Sequence, residues 1–210
     1  MRPAPTRKGW LNPQSAARRA ALAALSLAAG LTLFLLLAHS VTPRYSLVTA
    51  IDAQIPFLPW SWLFYAGFFP SVIAASAVAK PAAFDAFLRA VLLAFVIGMA
   101  SFALFPEAVP RPDPAVIDNA FLRQRVTRLW ALDPAVNGFP SLHVAVTCLM
   151  CRMLITSCRS GLVQTLVIVL GALICLSTLT FKQHTLADAL GGVLLAALCA
   201  FLSQRWRRPT

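Results

Sequence analysis

Two of the three histidines in this 210-residue chain stand at spacings that suit group or proton transfer. His184 precedes Asp188 by four residues, and on a helix such a pair shares one face. A carboxylate one turn along can accept the imidazole Nδ1 proton, which leaves Nε2 as a nucleophile or a base. Asp188 is also the only ionisable residue deep in the final apolar run. A carboxylate there is costly without a partner or a polar cavity. The plainer alternative is a helix-end aspartate that stays wet at an interface.

Pro140-Ser141-Leu142-His143 stands where another helix is expected to begin. Unpaired N–H groups and the helix dipole favour an anion at such a start, Ser141 adds a hydroxyl donor, and His143 projects from the first turn. A phosphate fits this pattern, and so does an ordinary serine cap followed by an interfacial histidine. Arg111, held between Pro110 and Pro112, can aim a guanidinium fork at phosphate oxygens. Arg123, Arg125 and Arg128 read as solvated, or as attracting anionic head groups.

These segments are remote in sequence, so the elements between them must bring them together. Apolar residues make up 59% of the chain and charged ones only 12%, against about a quarter charged in soluble domains. Lipid is the expected solvent. A span needs about 20 mostly apolar residues to cross roughly 30 Å of hydrocarbon. Apolar runs occur at 20–38, 57–79, 86–105, 143–155, 162–179 and 185–202, with prolines near their boundaries, where a missing backbone donor costs least. The expected fold is an all-α integral membrane bundle of six transmembrane helices over 20–204. Basic tails flank it at 1–19 and 205–210, and a long outer loop runs over 106–142. The first run follows a basic segment, as in a signal peptide, but its length and the poor cleavage site at His39-Ser40-Val41 predict a retained helix.

Twelve of the eighteen lysines and arginines fall on one side of this arrangement, which puts both termini in the cytoplasm by the positive-inside rule. The segments bearing Arg111, His143 and His184 then share the opposite face, the periplasmic one for a bacterial inner membrane. The loop over 106–142 breaks the charge bias, and it also holds Glu107, Asp113, Asp118 and Asp133. A loop of that kind suits an anionic ligand.

The net charge of +11 does not point to nucleic acid, because the cations lie in short segments between apolar runs rather than along one stripe. Cys148, Cys151, Cys158, Cys175 and Cys199 fall in or beside apolar runs and read as packing residues. Trp60, Trp62, Tyr65 and Trp206 read as interface anchors, and His39 as an interfacial residue. A transporter or channel is disfavoured, since the ionisable groups cluster at one face and no repeat is visible. His143, His184 and Asp188 could supply metal ligands, but His-x-x-x-Asp lacks the paired histidines of a zinc-protease helix. A serine hydrolase at Ser141 lacks the Gly-x-Ser-x-Gly elbow.

Arg111-Pro112, Pro140-Ser141-Leu142-His143, and Ser177 with His184 and Asp188 together resemble the three motifs of the type 2 phosphatidic acid phosphatase superfamily, KxxxxxxRP, PSGH and SRxxxxxHxxxD. The similarity runs from about Asp52 to Gly192 and includes Ile55-Pro56-Phe57-Leu58-Pro59-Trp60. The resemblance implies a membrane enzyme acting on a lipid phosphate or diphosphate, with no cofactor or metal. It implies that His184 attacks phosphorus to give a phosphohistidine, Asp188 orients it, and His143 protonates the leaving oxygen. Arg111, Lys182, Ser141 and the Leu142 backbone N–H would hold the non-bridging oxygens. The family's lysine falls at Leu104, its third-motif arginine at Thr178 and its glycine at Leu142, so Lys182 is the candidate to compensate for the missing cations. Phe139-Pro140-Ser141-Leu142-His143 with Thr180-Phe181-Lys182-Gln183-His184 is more similar to the branch of inositol phosphorylceramide synthases. That branch would pass the phospho-headgroup to an alcohol instead of water.

Overall fold

A computed structural model describes residues 15–205. The basic residues Arg2, Arg7, Lys8, Arg207 and Arg208, and the expected anchor Trp206, lie outside the described residues. Among the latter, α1 (Ala16–Ala38), α3 (Trp62–Val78), α4 (Pro81–Leu104), α6 (Leu142–Ser157), α7 (Gly161–Thr180) and α8 (Leu186–Arg205) form the bundle. Two further helices, α2 (Ala50–Gln54) and α5 (Ala120–Leu132), lie in the connections.

Five segments are long and apolar enough to cross a membrane: α1, Pro59–Val78, α4, α7 and α8. The remaining expected span is the shorter apolar helix α6, of 16 residues. At 1.5 Å per residue it reaches about 24 Å, short of the roughly 30 Å hydrocarbon layer. Its length is limited at both ends. Ser141 caps it behind Pro140, and Ser160 already opens α7.

Helix α6 is nevertheless the centre of the bundle. It packs against α3, α4, α7 and α8, while α1 covers α3 and α4 from outside. Ala145, Val146, Leu149, Met150 and Met153 of α6 meet Phe84, Phe87 and Val91 of α4 and Val72 of α3 in one core. Small residues set the spacing. A Cβ on Gly192 of α8 would come within 2.5 Å of the Ser141 carbonyl, so glycine there lets α8 touch the start of α6.

At one end of the bundle, Arg19 of α1 is buried and donates to the Ser76 and Ala77 carbonyls at 3.0 and 2.5 Å. A cation on the last carbonyls of α3 complements that helix's negative end. Lys80 N–H donates to Ser157 Oγ at 3.0 Å, which ties the α3–α4 turn to the end of α6.

At the other end, the stretch expected as one long loop is largely structured. Asn119 caps α5, its side chain accepting the Leu122 N–H at 3.0 Å. Val126 and Trp130 then pack with Ile117, Phe57, Trp62, Tyr65 and Phe181 in a second apolar cluster. The many arginines of α5 hide this amphipathic helix from an average hydropathy, because only one face is apolar. Three short extended segments pair with one another. Arg44 N–H donates to the Pro106 carbonyl, Ala108 N–H to Tyr45, Val109 N–H to Ala135 and Asn137 N–H to Glu107, all at 2.8 to 2.9 Å.

Candidate active site

The segment before α8 owes its shape to two caps placed back to back. Helix α7 ends in a Schellman motif: Gln183 N–H reaches the Thr178 carbonyl at 3.0 Å and Lys182 N–H reaches Leu179 at 3.1 Å. Lys182 occupies the left-handed position, φ 56°, where glycine is usual. Its ammonium donates to the Asp52 and Ile55 carbonyls at 3.0 and 2.6 Å, which anchors α2 beneath the site. Two of its three donors are used in this way.

Helix α8 begins at Leu186, preceded by Thr185 in a capping box. Thr185 N–H donates to Asp188 Oδ2 at 2.7 Å, and Asp188 N–H to Thr185 Oγ1 at 3.3 Å. His184 therefore lies just ahead of the helix rather than on its face. It still meets Asp188, with Nδ1 3.5 Å from Oδ2, because the capping box turns the carboxylate back toward the chain preceding the helix. Asp188 is fully buried, while the His184 side chain keeps 12% exposure.

The start of α6 stands beside this segment. Ser141 N–H donates to the Asp188 carbonyl at 3.0 Å, and Ser141 Oγ accepts the Val144 N–H at 3.2 Å. The N–H groups of Leu142 and His143 precede the first intrahelical acceptor, as at any helix start. The His143 ring stacks on Tyr65, with centroids 4.3 Å apart and planes 11° apart, and lies 3.9 Å from the Phe68 ring. Its Nε2 is buried with no protein partner. Tyr65 is thus a wall of the site and not the interface anchor its sequence position suggested.

Arg111 enters from the loop after α4. It donates to the Asp133 carbonyl at 2.6 Å and to Gln183 Oε1, and it lies 3.7 Å from the Asp133 carboxylate and 5.5 Å from the Trp130 ring centroid. Burial draws the Arg111 guanidinium below its ordinary value, and Asp133 opposes the change. Burial also lifts Asp133, against the pull of Arg111. A cavity of about 340 Å³ is lined by Arg111, Lys182, His184, Thr185 and Asp52 together with apolar Val109, Phe57 and Leu179.

The structure thus brings His184, Asp188 and Ser141 into one contact group, with Leu142 next to Ser141 in the chain, and puts Arg111 and Lys182 on a cavity with His184. Two positions where the resemblance expects cations offer none: Leu104 is exposed, and Thr178 is buried with its hydroxyl on the Cys175 carbonyl. Sequence reading missed four participants, namely Tyr65, Gln183, Thr185 and Glu107. Thr185 was legible, since Thr-x-x-Asp ahead of an apolar run is a capping signal. The other three needed contacts between remote segments.

A histidine backed by a buried carboxylate, next to a helix start and a cation-lined cavity, is an arrangement suited to handling an anionic group at the membrane surface. The chain belongs to the PAP2 superfamily, whose family model matches residues 46–202. It is accordingly a membrane protein of the phosphatase or phosphotransferase type. No curated protein and no solved structure matches it.

Proposed function

We propose that this chain is a six-span membrane enzyme that hydrolyses a lipid phosphate or diphosphate through a phosphohistidine, without metal or cofactor. The observation that carries the reading is the approach of His184 Nδ1 to Asp188 Oδ2, at 3.5 Å, on the wall of a cavity that also holds Arg111 and Lys182. Asp188 holds the Nδ1 proton, and the Nε2 lone pair attacks phosphorus. The bond from phosphorus to the leaving oxygen breaks, and protonated His143 supplies that oxygen's proton. In the second half-reaction water attacks the phosphohistidine, gives its proton to His143 and releases phosphate. Arg111, Lys182, the Ser141 hydroxyl and the Leu142 N–H stabilise the oxygens as charge moves.

The substrate's acyl or prenyl tail stays among the helices while its head group meets the cavity. Membrane lipids are then the partners, and nucleic acid is not. Both termini lie in the cytoplasm, and the site opens on the periplasmic face of a bacterial inner membrane. A second reading, transfer to an alcohol as in the inositol phosphorylceramide synthase branch, is favoured by Phe139-Pro140-Ser141-Leu142-His143 and Thr180-Phe181-Lys182-Gln183-His184. Purified wild type and His184→Ala are incubated with lipid phosphates and diphosphates, with and without alcohol acceptors and with chelator. Phosphate release by wild type alone, unaffected by chelator, is the expected result. Headgroup exchange without net phosphate would select the transferase reading, and full turnover by His184→Ala would overturn both.

A further inference from the structure

Glu107 is the only glutamate in the chain and, at 1% exposure, it is buried beside the site. Leu47 N–H donates to its Oε1 at 3.3 Å, and its backbone carbonyl accepts the Asn137 N–H at 2.9 Å. Its carboxyl faces that of Asp188 closely enough for a hydrogen bond between them. Two ionised carboxylates have only acceptors, so such a bond needs a proton between them. The unsatisfied atoms show where it belongs. Glu107 Oε2 and Asp188 Oδ1 are both buried, and neither has another partner.

We propose that Glu107 is a positioning residue that stays protonated and donates Oε2–H to Asp188 Oδ1, which holds Asp188 Oδ2 toward His184. The proposal rests on the reading of His184 as the nucleophile. One proton satisfies both orphaned oxygens. Oδ2 is then left to the Thr185 N–H and His184 Nδ1. Gly138 gives the pair room, because a Cβ at that position would strike Asp188 Oδ2. A carboxylate pinned at both oxygens cannot rotate away from the imidazole during the two half-reactions.

The groups facing Glu107 favour its neutral form. Burial and then Asp188 of α8 push its carboxyl up to about 8, Asp52 of α2 adds to the effect, and only the Leu47 N–H opposes it. The segment bearing Asn137 offers a neutral amide. Because the folded value lies above the ordinary one, the favourable state is present at low pH and is lost as pH rises through the folded value. Wild type therefore has an alkaline fall in kcat that Glu107→Gln, a neutral donor at every pH, does not share.

A single glutamate makes the test specific. The full chain in detergent micelles, labelled with ¹³C-carboxyl glutamate, yields one side-chain carbon whose shift reports the proton without any variant. The expected result is a protonated carboxyl at about pH 6 that ionises only in the alkaline range, well above the usual glutamate value. In parallel, Glu107→Gln keeps kcat within about threefold and loses the alkaline limb, whereas Glu107→Ala drops kcat by up to about a hundredfold with KM little changed. A carboxyl already ionised at about pH 6, or a folded Glu107→Gln with the wild-type alkaline limb, would overturn the proposal. The two readings fail separately. Turnover by His184→Ala with a neutral Glu107 removes the nucleophile assignment, while an inactive His184→Ala with an ionised Glu107 removes only the role of Glu107.

Discussion

The two helix starts that carry the site histidines differ in what satisfies their backbone donors. At α8 the protein's own side chains do so: Asp188 takes the Thr185 N–H, Asp52 takes the Leu186 N–H at 2.7 Å, and Thr185 Oγ1 takes the Asp188 N–H. At α6 the Ser141 hydroxyl caps the first turn, on Val144, and the Leu142 and His143 N–H groups are the donors that the proposed phosphate would meet. Both starts have the same dipole. At α8 it meets internal carboxylates that hold a histidine, and in the proposed mechanism the dipole of α6 meets the substrate's phosphate.

Four substitutions test that contrast, from the largest effect to the smallest. His184→Ala should lower kcat by at least roughly a thousandfold, since no other group replaces a lost nucleophile. Single-turnover labelling with a ³²P-lipid phosphate should find no covalent phosphoenzyme in it. His143→Ala should cost about 10² to 10⁴ in kcat, the usual range for a general acid, and less with substrates whose leaving group needs no proton. Equal loss on good and poor leaving groups would place His143 in the packing alone.

Ser141→Ala removes the α6 cap and a hydroxyl donor together. Loss of the cap costs about 1 kcal/mol of stability, read as a fall in Tm, and weaker binding of inorganic phosphate should accompany it. An unchanged phosphate affinity would break the idea that α6 is the open start. Asp52→Asn should have the smallest effect on turnover. Burial raises the Asp52 carboxyl, but its bonds from Thr49 and Leu186 and the charge of Lys182 outweigh this and hold it below the ordinary value. Its stabilisation is present above that ordinary value and is lost as pH falls through the folded one. The variant should therefore flatten the acid side of a Tm-against-pH curve. A collapse of kcat as deep as that of His184→Ala would show that α8's start also meets substrate.

Much of this was legible along the chain. The apolar runs located every helix of the bundle to within a few residues, because a segment of that composition has few places to go except lipid. The shortest run, 143–155, became the shortest helix of the bundle, and it falls below the length that marks the other five spans. Helix α5 was not legible from hydropathy, since its buried stripe is only Val126, Leu129 and Trp130 among arginines. The histidine–aspartate pair was found by spacing, although by a geometry that does not occur. The expectation was an i, i+4 pair on one helical face, and the contact is made instead across a capping box.

What the sequence by itself determined is the solvent of the chain, the class of its fold and the short list of residues able to carry chemistry. Those properties follow from local composition and spacing, which act within a turn or two of helix. Only the tertiary structure decided how the members of that list are employed. Lys182 is tied to the end of α2, and Arg111 to Asp133 and Gln183, through acceptors 22 to 130 residues away. Glu107 and Asp188 meet behind His184, at the start of α8. An isolated acid has no reason to stay neutral. It does so here because folding buries a second carboxyl against it, and a pair brought together from distant parts of the chain is not legible in either residue's local sequence.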